Sequence, residues 1–484
     1  MTIVNKSSGI GTSNTNASSG QTSSNSFQHI RKLYANDEVD DIKARQTAVE
    51  YLAEILNIVP LQGSEDLLWY DDSAGIFKED GERVVNEKLE AGLKKYNSTY
   101  ESSQILHKLQ SQSSVPPKKF GSEEKLCLEN GVLDVSDPGS PTLENHSPKF
   151  QCRKKLPVEY DERADCPRFE EFLEQSVKKS DIPKLQEFIG YTVFHHWAMP
   201  FQKAMMCVGQ TAAGKSTLLE ILTSLFGEDN ISHLSLQQIS NEKFALAQAR
   251  NSLANICNDL DSELVQNVGL FKQLTAGDAV EVDRKYKSPI SFRMTQKQIY
   301  AANRVPEIDG TDDAFYRRWV HIRFPKTIPE EERERDLIEK LESELSGILN
   351  WALEGYARLM RKEKFTDELS IDEKRELWKA HGHSVDRFMQ AQAERMSESE
   401  LPKDKVYSAY EQFCEANNLS VERKQTFSKY LKRGYNITTS RPEMNGERVR
   451  CYQGVYLPDE EDTTEASDSD ESSWASKIIT ADTE

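Results

Sequence analysis

Residues 205–222, MMCVGQTAAGKSTLLEIL, constrain the fold more than any other stretch. An apolar run ends at Gly209, four residues follow, and Gly214-Lys215-Ser216 opens a helical pattern. Glycines at that spacing, between a strand and a helix, let backbone N–H groups turn inward around an anion. The helix that follows points its positive end at the same place. Gly209, Gln210, Thr211, Ala212, Ala213, Gly214, Lys215, Ser216 and Thr217 therefore read as a phosphate-binding loop. Lys215 is expected to bridge β- and γ-phosphates and Ser216 to ligate Mg²⁺, with Thr217 packing or capping. The competing reading is a plain glycine-containing turn.

Such a loop needs a carboxylate at the end of a neighbouring strand to hold the Mg²⁺ shell, and a second acid can polarise the attacking water. In NSLANICNDLDSE the apolar run ends at Asn258 and Asp259, with Asp261 just beyond. Asp259 takes the metal role beside Ser216, and Asp261 is the candidate for activating water. Either acid could instead cap a helix. Further on, AVEVDRKYKSPISF reads as two paired strands with Arg284, Lys285 and Lys287 around Tyr286 at the bend. Cations and a ring at a hairpin tip suit a phosphate backbone and a stacked base; a solvated turn is the alternative. In KQIYAANRVPEI, Asn303 ends an apolar strand, where an amide can sense a γ-phosphate or simply make a turn. In DDAFYRRWVHIRF, Arg317 and Arg318 precede another strand. A guanidinium there could reach the γ-phosphate of a neighbouring subunit or pair with Asp312 or Asp313.

The order and spacing of these motifs resemble the motor of superfamily 3 helicases. Within that superfamily the chain is similar to the phage and plasmid primase–helicase group related to the poxvirus primase-helicase. FKQLTAGDAVEVDRKYKSP, AANRVPEI and FYRRWVHIRFP carry the resemblance, with LENGVLDV, LPVEYDERADCPRFEEFL and LQEFIGY upstream. It covers about residues 69 to 457. It implies an α/β, AAA+-like phosphate-loop NTPase core in a homo-hexameric ring, driven by ATP and moving 3′ to 5′ on single-stranded DNA at a fork. Asp259 then becomes the second-motif acid, the basic hairpin the DNA contact, Asn303 the sensor and Arg318 the foremost arginine finger. Fused members carry a primase with an Asp-x-Asp pair at a strand end. Neither Asp37–Asp41 nor Asp71-Asp72 has that form, so a helicase relying on a separate primase or polymerase is expected.

Around the core, residues 1–28 are polar and expected to be disordered, 29–110 to form an α+β region, 111–121 a linker and 122–200 a segment preceding the motor. The motor spans 201–330, a helical connector 331–384, and a winged-helix-like module 385–458. An acidic tail, 459–484, completes the chain. Helical periodicity over 330–362 suggests one long charged helix. In the module, Arg423, Lys424, Lys429, Lys432 and Arg433 lie on or near the second helix, a plausible DNA-facing side; a protein-binding winged domain is the alternative. The net charge of −19 argues against a nucleic-acid partner only on average: residues 459–484 hold ten acids against Lys477, whereas 401–457 carry ten Lys/Arg against six Asp/Glu. The seven cysteines are scattered without a Cys-x-x-Cys pair, so neither a zinc site nor a disulfide framework is suggested. No apolar run approaches membrane-spanning length, and no signal peptide is evident, so a cytoplasmic or host-intracellular protein is expected. An ATP-gated origin-binding scaffold with little turnover is the rival to the helicase.

Overall fold

The computed structural model describes residues 19–458 apart from 37–40, 65, 122–123, 138–139, 195, 197–198, 243–245, 247–248, 250, 261–264, 266–267, 285–286, 307, 309–311, 381–383, 394–395, 397–398, 417–420 and 445–446. The acidic tail lies outside these residues. Two compact units, 1–155 and 156–484, fold around separate cores.

The first unit opens with α1 (Ser19–Tyr34), which begins inside the stretch expected to be disordered. Helices α2 (Asp41–Ile55), α3 (Gly81–Leu93) and α4 (Thr99–Gln110) join it. Their apolar positions recur at helical spacing, as in Ala48 and Leu52, Val85 and Leu89, Ile105 and Leu109, and these stripes meet in one core. Strands β1 (Val59–Pro60), β2 (Leu67–Asp71) and β3 (Ile76–Lys78) form an antiparallel sheet with the expected turn after Asp71. The Asp71 carboxylate accepts from the Ser73 backbone N–H at 3.0 Å and pairs with Lys78 at 2.7 Å. A second sheet contains β4 (Lys125–Leu128), β5 (Gly131–Asp134) and β6 (Thr142–Glu144). The 111–121 stretch is not a free linker. Its Phe120 is buried against Leu61, Leu68, Tyr70 and Phe77, and the Gln62 N–H donates to the Val115 carbonyl. Proline and lysine gave the stretch a linker's composition, but two apolar side chains decide where it goes.

The segment expected as one block at 122–200 is split, its part from Leu156 onward belonging to the second unit. That unit begins with α5 (Pro167–Ser176) and α6 (Ile182–Val193). Next come β7 (Ala204–Gly209), α7 (Lys215–Phe226), β8 (Ile231–Ser232), α8 (Leu236–Asn241), β9 (Ala254–Cys257) and α9 (Gly269–Ala276). The hairpin β10 (Ala279–Arg284) and β11 (Lys287–Arg293) follows, then β12 (Lys297–Ala302), α10 (Asp313–Tyr316) and β13 (Trp319–Phe324). Five strands form one sheet in the order β13-β7-β12-β9-β8, and every neighbouring pair is parallel. Strands buried on both faces need continuous apolar character, and every residue of β7 and β12 is buried. This mixed α/β sheet is consistent with an NTPase-like core. Because the strands run together, the segments after β7, β9 and β12 emerge at one edge, while the turn before β13 lies at the other.

The region read as one long helix breaks into α11 (Leu337–Glu342) and α12 (Leu345–Lys362), preceded by a short 3₁₀ turn at Glu330–Glu332. After α13 (Ile371–Ala380) comes the last module. It holds α14 (Ser384–Gln392), β14 (Glu400–Pro402), α15 (Lys403–Ala416), α16 (Lys424–Tyr435), β15 (Thr438–Ser440), the pair β16 (Glu443–Met444) and β17 (Glu447–Arg448), and β18 (Cys451–Gln453). The three-stranded sheet is antiparallel in the order β14-β18-β15. Phe388, Tyr410, Phe427 and Tyr452 fill the space between helices and sheet. Strand β14 is a short segment that pairs with β18.

Candidate nucleotide-binding site

Strand β7 delivers Gly209 to the edge of the sheet, and α7 begins at Lys215. The glycines that bound the loop are both required sterically. A Cβ on Gly209 would stand 2.3 Å from the Phe324 carbonyl oxygen of β13. Gly214 has φ +95°, and its Cβ would meet the buried Ser176 Oγ at 2.8 Å. Side chains rarely adopt that backbone region, so the loop keeps its shape only with glycine there.

Lys215 is 7% exposed. Its Nζ donates to the carbonyls of Gly209 at 2.8 Å and Gln210 at 2.6 Å, and to Asn303 Oδ1 at 2.8 Å. Burial lowers the affinity of the amine for its proton, while Cys207 and Asp259 pull the other way. Asn303 reaches it because β12 is the strand beside β7, and Asn303 is the residue after β12 ends. Asp259 follows β9, the next strand across, and the Leu260 N–H donates to the Ala301 carbonyl at 3.0 Å, fixing that turn to β12. A cavity of about 520 Å³ opens here, lined by Thr211–Thr217, Asn258, Asp259 and Asn303 on one side.

The other side was not anticipated. Phe172 and Arg168 of α5, with Ile328, Arg333, Glu334, Leu337 and Ile338, complete the lining of the cavity. Arg168 reaches both carboxylate oxygens of Glu334 at 2.8 Å, and the Ile328 N–H donates to the Ala212 carbonyl at 2.9 Å. These partners are distant in sequence, and the charged run around Glu334 carries only a helical pattern, so no local signal marks them.

The remaining expected residues are placed unevenly. Asp261, Lys285 and Tyr286 lie outside the described residues. The backbone of Arg284 pairs with that of Lys287, as the hairpin reading requires. Arg318 does not present its guanidinium to solvent. It is 6% exposed, Nε donates to Thr275 Oγ1 at 2.8 Å, Nη2 to the Lys272 carbonyl at 3.3 Å, and Nη1 to the Ala314 carbonyl. Arg317 beside it is exposed. The alternative of ion pairs to Asp312 or Asp313 is also not what forms: Asp312 pairs with Lys272 at 3.0 Å and Asp313 with Arg375 at 2.6 Å. In the last module Lys429, Lys432 and Arg433 are exposed on α16, opposite its buried Phe427 and Leu431. Lys424 pairs with Asp404 at 2.9 Å.

Comparison with known proteins adds kinship. Residues 30–177 match a family described as D5 N terminal like, 207–318 a family of unknown function, DUF5906, and 384–458 the RFX DNA-binding domain. Protein V13 of Sputnik virophage, a helicase by provisional name, is 27% identical over 212 residues, 38% of this chain and 26% of V13. The mimivirus protein L207/L206 of Acanthamoeba polyphaga mimivirus, named in the same way, is 28% identical over 123 residues, 24% of this chain and 13% of its own length. The matched parts are thus a small share of either relative. Two structures of the NrS-1 C-terminal region cover 84% of this chain and 99% and 98% of their own, at 12% and 10% identity and TM-scores of 0.41 and 0.44. Those scores add nothing to the fold described above. The sequence matches support kinship with viral helicases. Among the described residues, no helix is long and apolar enough to cross a membrane.

Proposed function

We propose that the chain is the subunit of an ATP-driven DNA helicase ring serving the replication of a virus or mobile element. One observation carries the reading: Lys215, Asn303 and Asp259, in the segments that follow three adjacent strands, converge on one cavity at the same sheet edge. In this reading residues 209–217 cradle the triphosphate, helped by the positive end of α7. The Lys215 amine exchanges the carbonyls of Gly209 and Gln210 for β- and γ-phosphate oxygens. Ser216 and Asp259 offer a hydroxyl and a carboxylate, the hard oxygen donors that suit Mg²⁺. That ion, when bound, neutralises charge on the β- and γ-oxygens. Asn303 sits where it can orient water at the γ-phosphate, and Asp261 remains the candidate for polarising that water.

Arg317 takes the role expected of Arg318. β13 runs parallel to β7 with Trp319 opposite Ala204 and Phe324 opposite Gly209. Arg317 therefore precedes the end of the sheet away from the loop, about 20 Å of strand from Gly209. No side chain spans that gap, so Arg317 cannot serve its own nucleotide and acts on that of a neighbouring copy. The 3′ to 5′ direction and the six-membered ring come from the resemblance, with Arg284, Lys285 and Lys287 lining the channel; the winged-helix reading of 385–458 comes from that module's own helix and strand pattern and turns α16 toward duplex DNA.

ATP hydrolysis by the purified chain, with and without single-stranded DNA, tests the proposal. Stimulation by DNA that Lys215→Ala abolishes supports a DNA motor. Hydrolysis indifferent to DNA, or none, favours the ATP-gated scaffold.

A further inference from the structure

We propose that Lys203, Glu368 and Lys374 form a brace that aims Arg317 out of its subunit, an inference that rests on the role given to Arg317 above. The carbonyl of Arg317 accepts from Lys203 Nζ at 2.5 Å and from Lys374 Nζ at 3.4 Å. Glu368 Oε1 holds both amines, Lys374 at 2.6 Å and Lys203 at a short contact. The three come from separate places: Lys203 just before β7, Glu368 before α13 and Lys374 within it. The Lys374 side chain is 3% exposed and that of Lys203 12%. Two ammonium groups and one carboxylate thus sit under the backbone of a single turn, with a net positive charge.

That positive charge disfavours an Arg317 guanidinium folded back over the turn. Around it, Asp312 is paired with Lys272, Asp313 with Arg375, and the Ala314 carbonyl with Arg318. Arg375 also lies over the Tyr316 ring, 5.4 Å from its centroid. The Arg317 carbonyl is held by two lysine ammonium groups, and their like charge disfavours a guanidinium folded back over them. Among the described residues the guanidinium has no hydrogen-bond or ion-pair partner. Burial, then the charge of Lys203, lowers the proton affinity of Lys374 to about 8, which agrees with two amines crowded on one carboxylate. The brace ties the turn before β13 to the start of β7, so the backbone that carries the exposed cation is fixed relative to the strand that ends in the phosphate loop.

A brace that aims a charge should alter turnover rather than nucleotide binding. The test compares Arg317→Ala, Lys374→Met, Lys374→Arg and the double variant Arg317→Ala/Lys374→Met in the full-length chain. It measures kcat and KM for ATP with single-stranded DNA, the affinity for a fluorescent ATP analogue, and the unfolding midpoint. Misaiming a catalytic group by about 1 Å can cost on the order of a hundredfold, so Lys374→Met should lower kcat at least about tenfold with analogue binding within about twofold. Lys374→Arg should recover most of the loss, and the double variant should be no slower than Arg317→Ala alone, as residues acting as one unit are not additive. Normal turnover by Lys374→Met beside a slow Arg317→Ala would overturn the brace while leaving the role of Arg317 standing. Additive losses in the double variant would also overturn it. Normal turnover by Arg317→Ala would overturn both. Should Lys374→Met fail to fold, Glu368→Gln removes the charge that gathers the amines and is judged by the same outcomes.

Discussion

Replacing Arg318 and Arg317 separately by alanine should separate stability from turnover. Arg318 is buried and donates to Thr275 Oγ1, the Lys272 carbonyl and the Ala314 carbonyl. A hydrogen bond from a charged donor contributes roughly 1.5–3 kcal/mol. The full sum does not apply, because the Lys272 carbonyl keeps a bond from Thr275 Oγ1 at 3.1 Å. A loss of about 2–3 kcal/mol is therefore expected for Arg318→Ala, in the range of broken buried networks. For a unit of about 330 residues that corresponds to a fall of roughly 3–4 °C in unfolding midpoint. Arg317 is exposed and makes no described side-chain bond, so Arg317→Ala should stay within about 0.5 kcal/mol of the parent. Turnover should reverse the order, with Arg317→Ala losing on the order of a thousandfold in kcat, as when an arginine finger is removed. Thermal unfolding followed by circular dichroism and steady-state ATP hydrolysis read the two effects on the same preparations. An unshifted midpoint with lost turnover in Arg318→Ala, beside normal turnover in Arg317→Ala, would refute the assignment and return the role to Arg318.

Three further outcomes are expected. Mixing Lys215→Ala with Arg317→Ala protein should restore part of the hydrolysis that neither shows alone, because one variant supplies an intact loop and the other an intact arginine at the shared boundary; no recovery at any ratio would count against shared sites. Lys429→Ala, Lys432→Ala and Arg433→Ala should each weaken duplex binding for all sequences alike and reduce the slope of log affinity against log salt by about one, read by fluorescence anisotropy across salt concentrations. Asp134 has its carboxyl proton affinity lowered to about 2 by bonds from Lys125 and Ser136. Its ordinary value is about 4, so its stabilisation is present above about pH 4 and lost as pH falls through about 2. Asp134→Asn should therefore unfold earlier than the parent at neutral pH, and the difference should vanish near pH 2 in a pH series of denaturant midpoints.

The strand–turn–helix at 204–226 was legible because its geometry is local: Gly209, Gly214 and Lys215 lie within it, and the turn dictates the glycines. Asp259 and Asn303 were legible as strand ends, since parallel strands bring their exits to one edge whatever lies between them. That Arg318 is buried and Arg317 exposed was not legible. Both precede the same strand, and what separates them is the Thr275 hydroxyl and two carbonyls of α9 and α10, which approach only once the sheet has formed. The far wall of the cavity failed for the same reason, because Arg168 and Glu334 meet across the fold and each alone reads as a solvated charge. The linker reading failed in the opposite direction, when composition outweighed the burial of one ring, Phe120. Parallel topology then supplies what motif order cannot. It sets Gly209 and Arg317 at opposite ends of neighbouring strands in one chain. A catalytic role for that arginine therefore requires a second copy, and a ring is the closed assembly in which every site receives one.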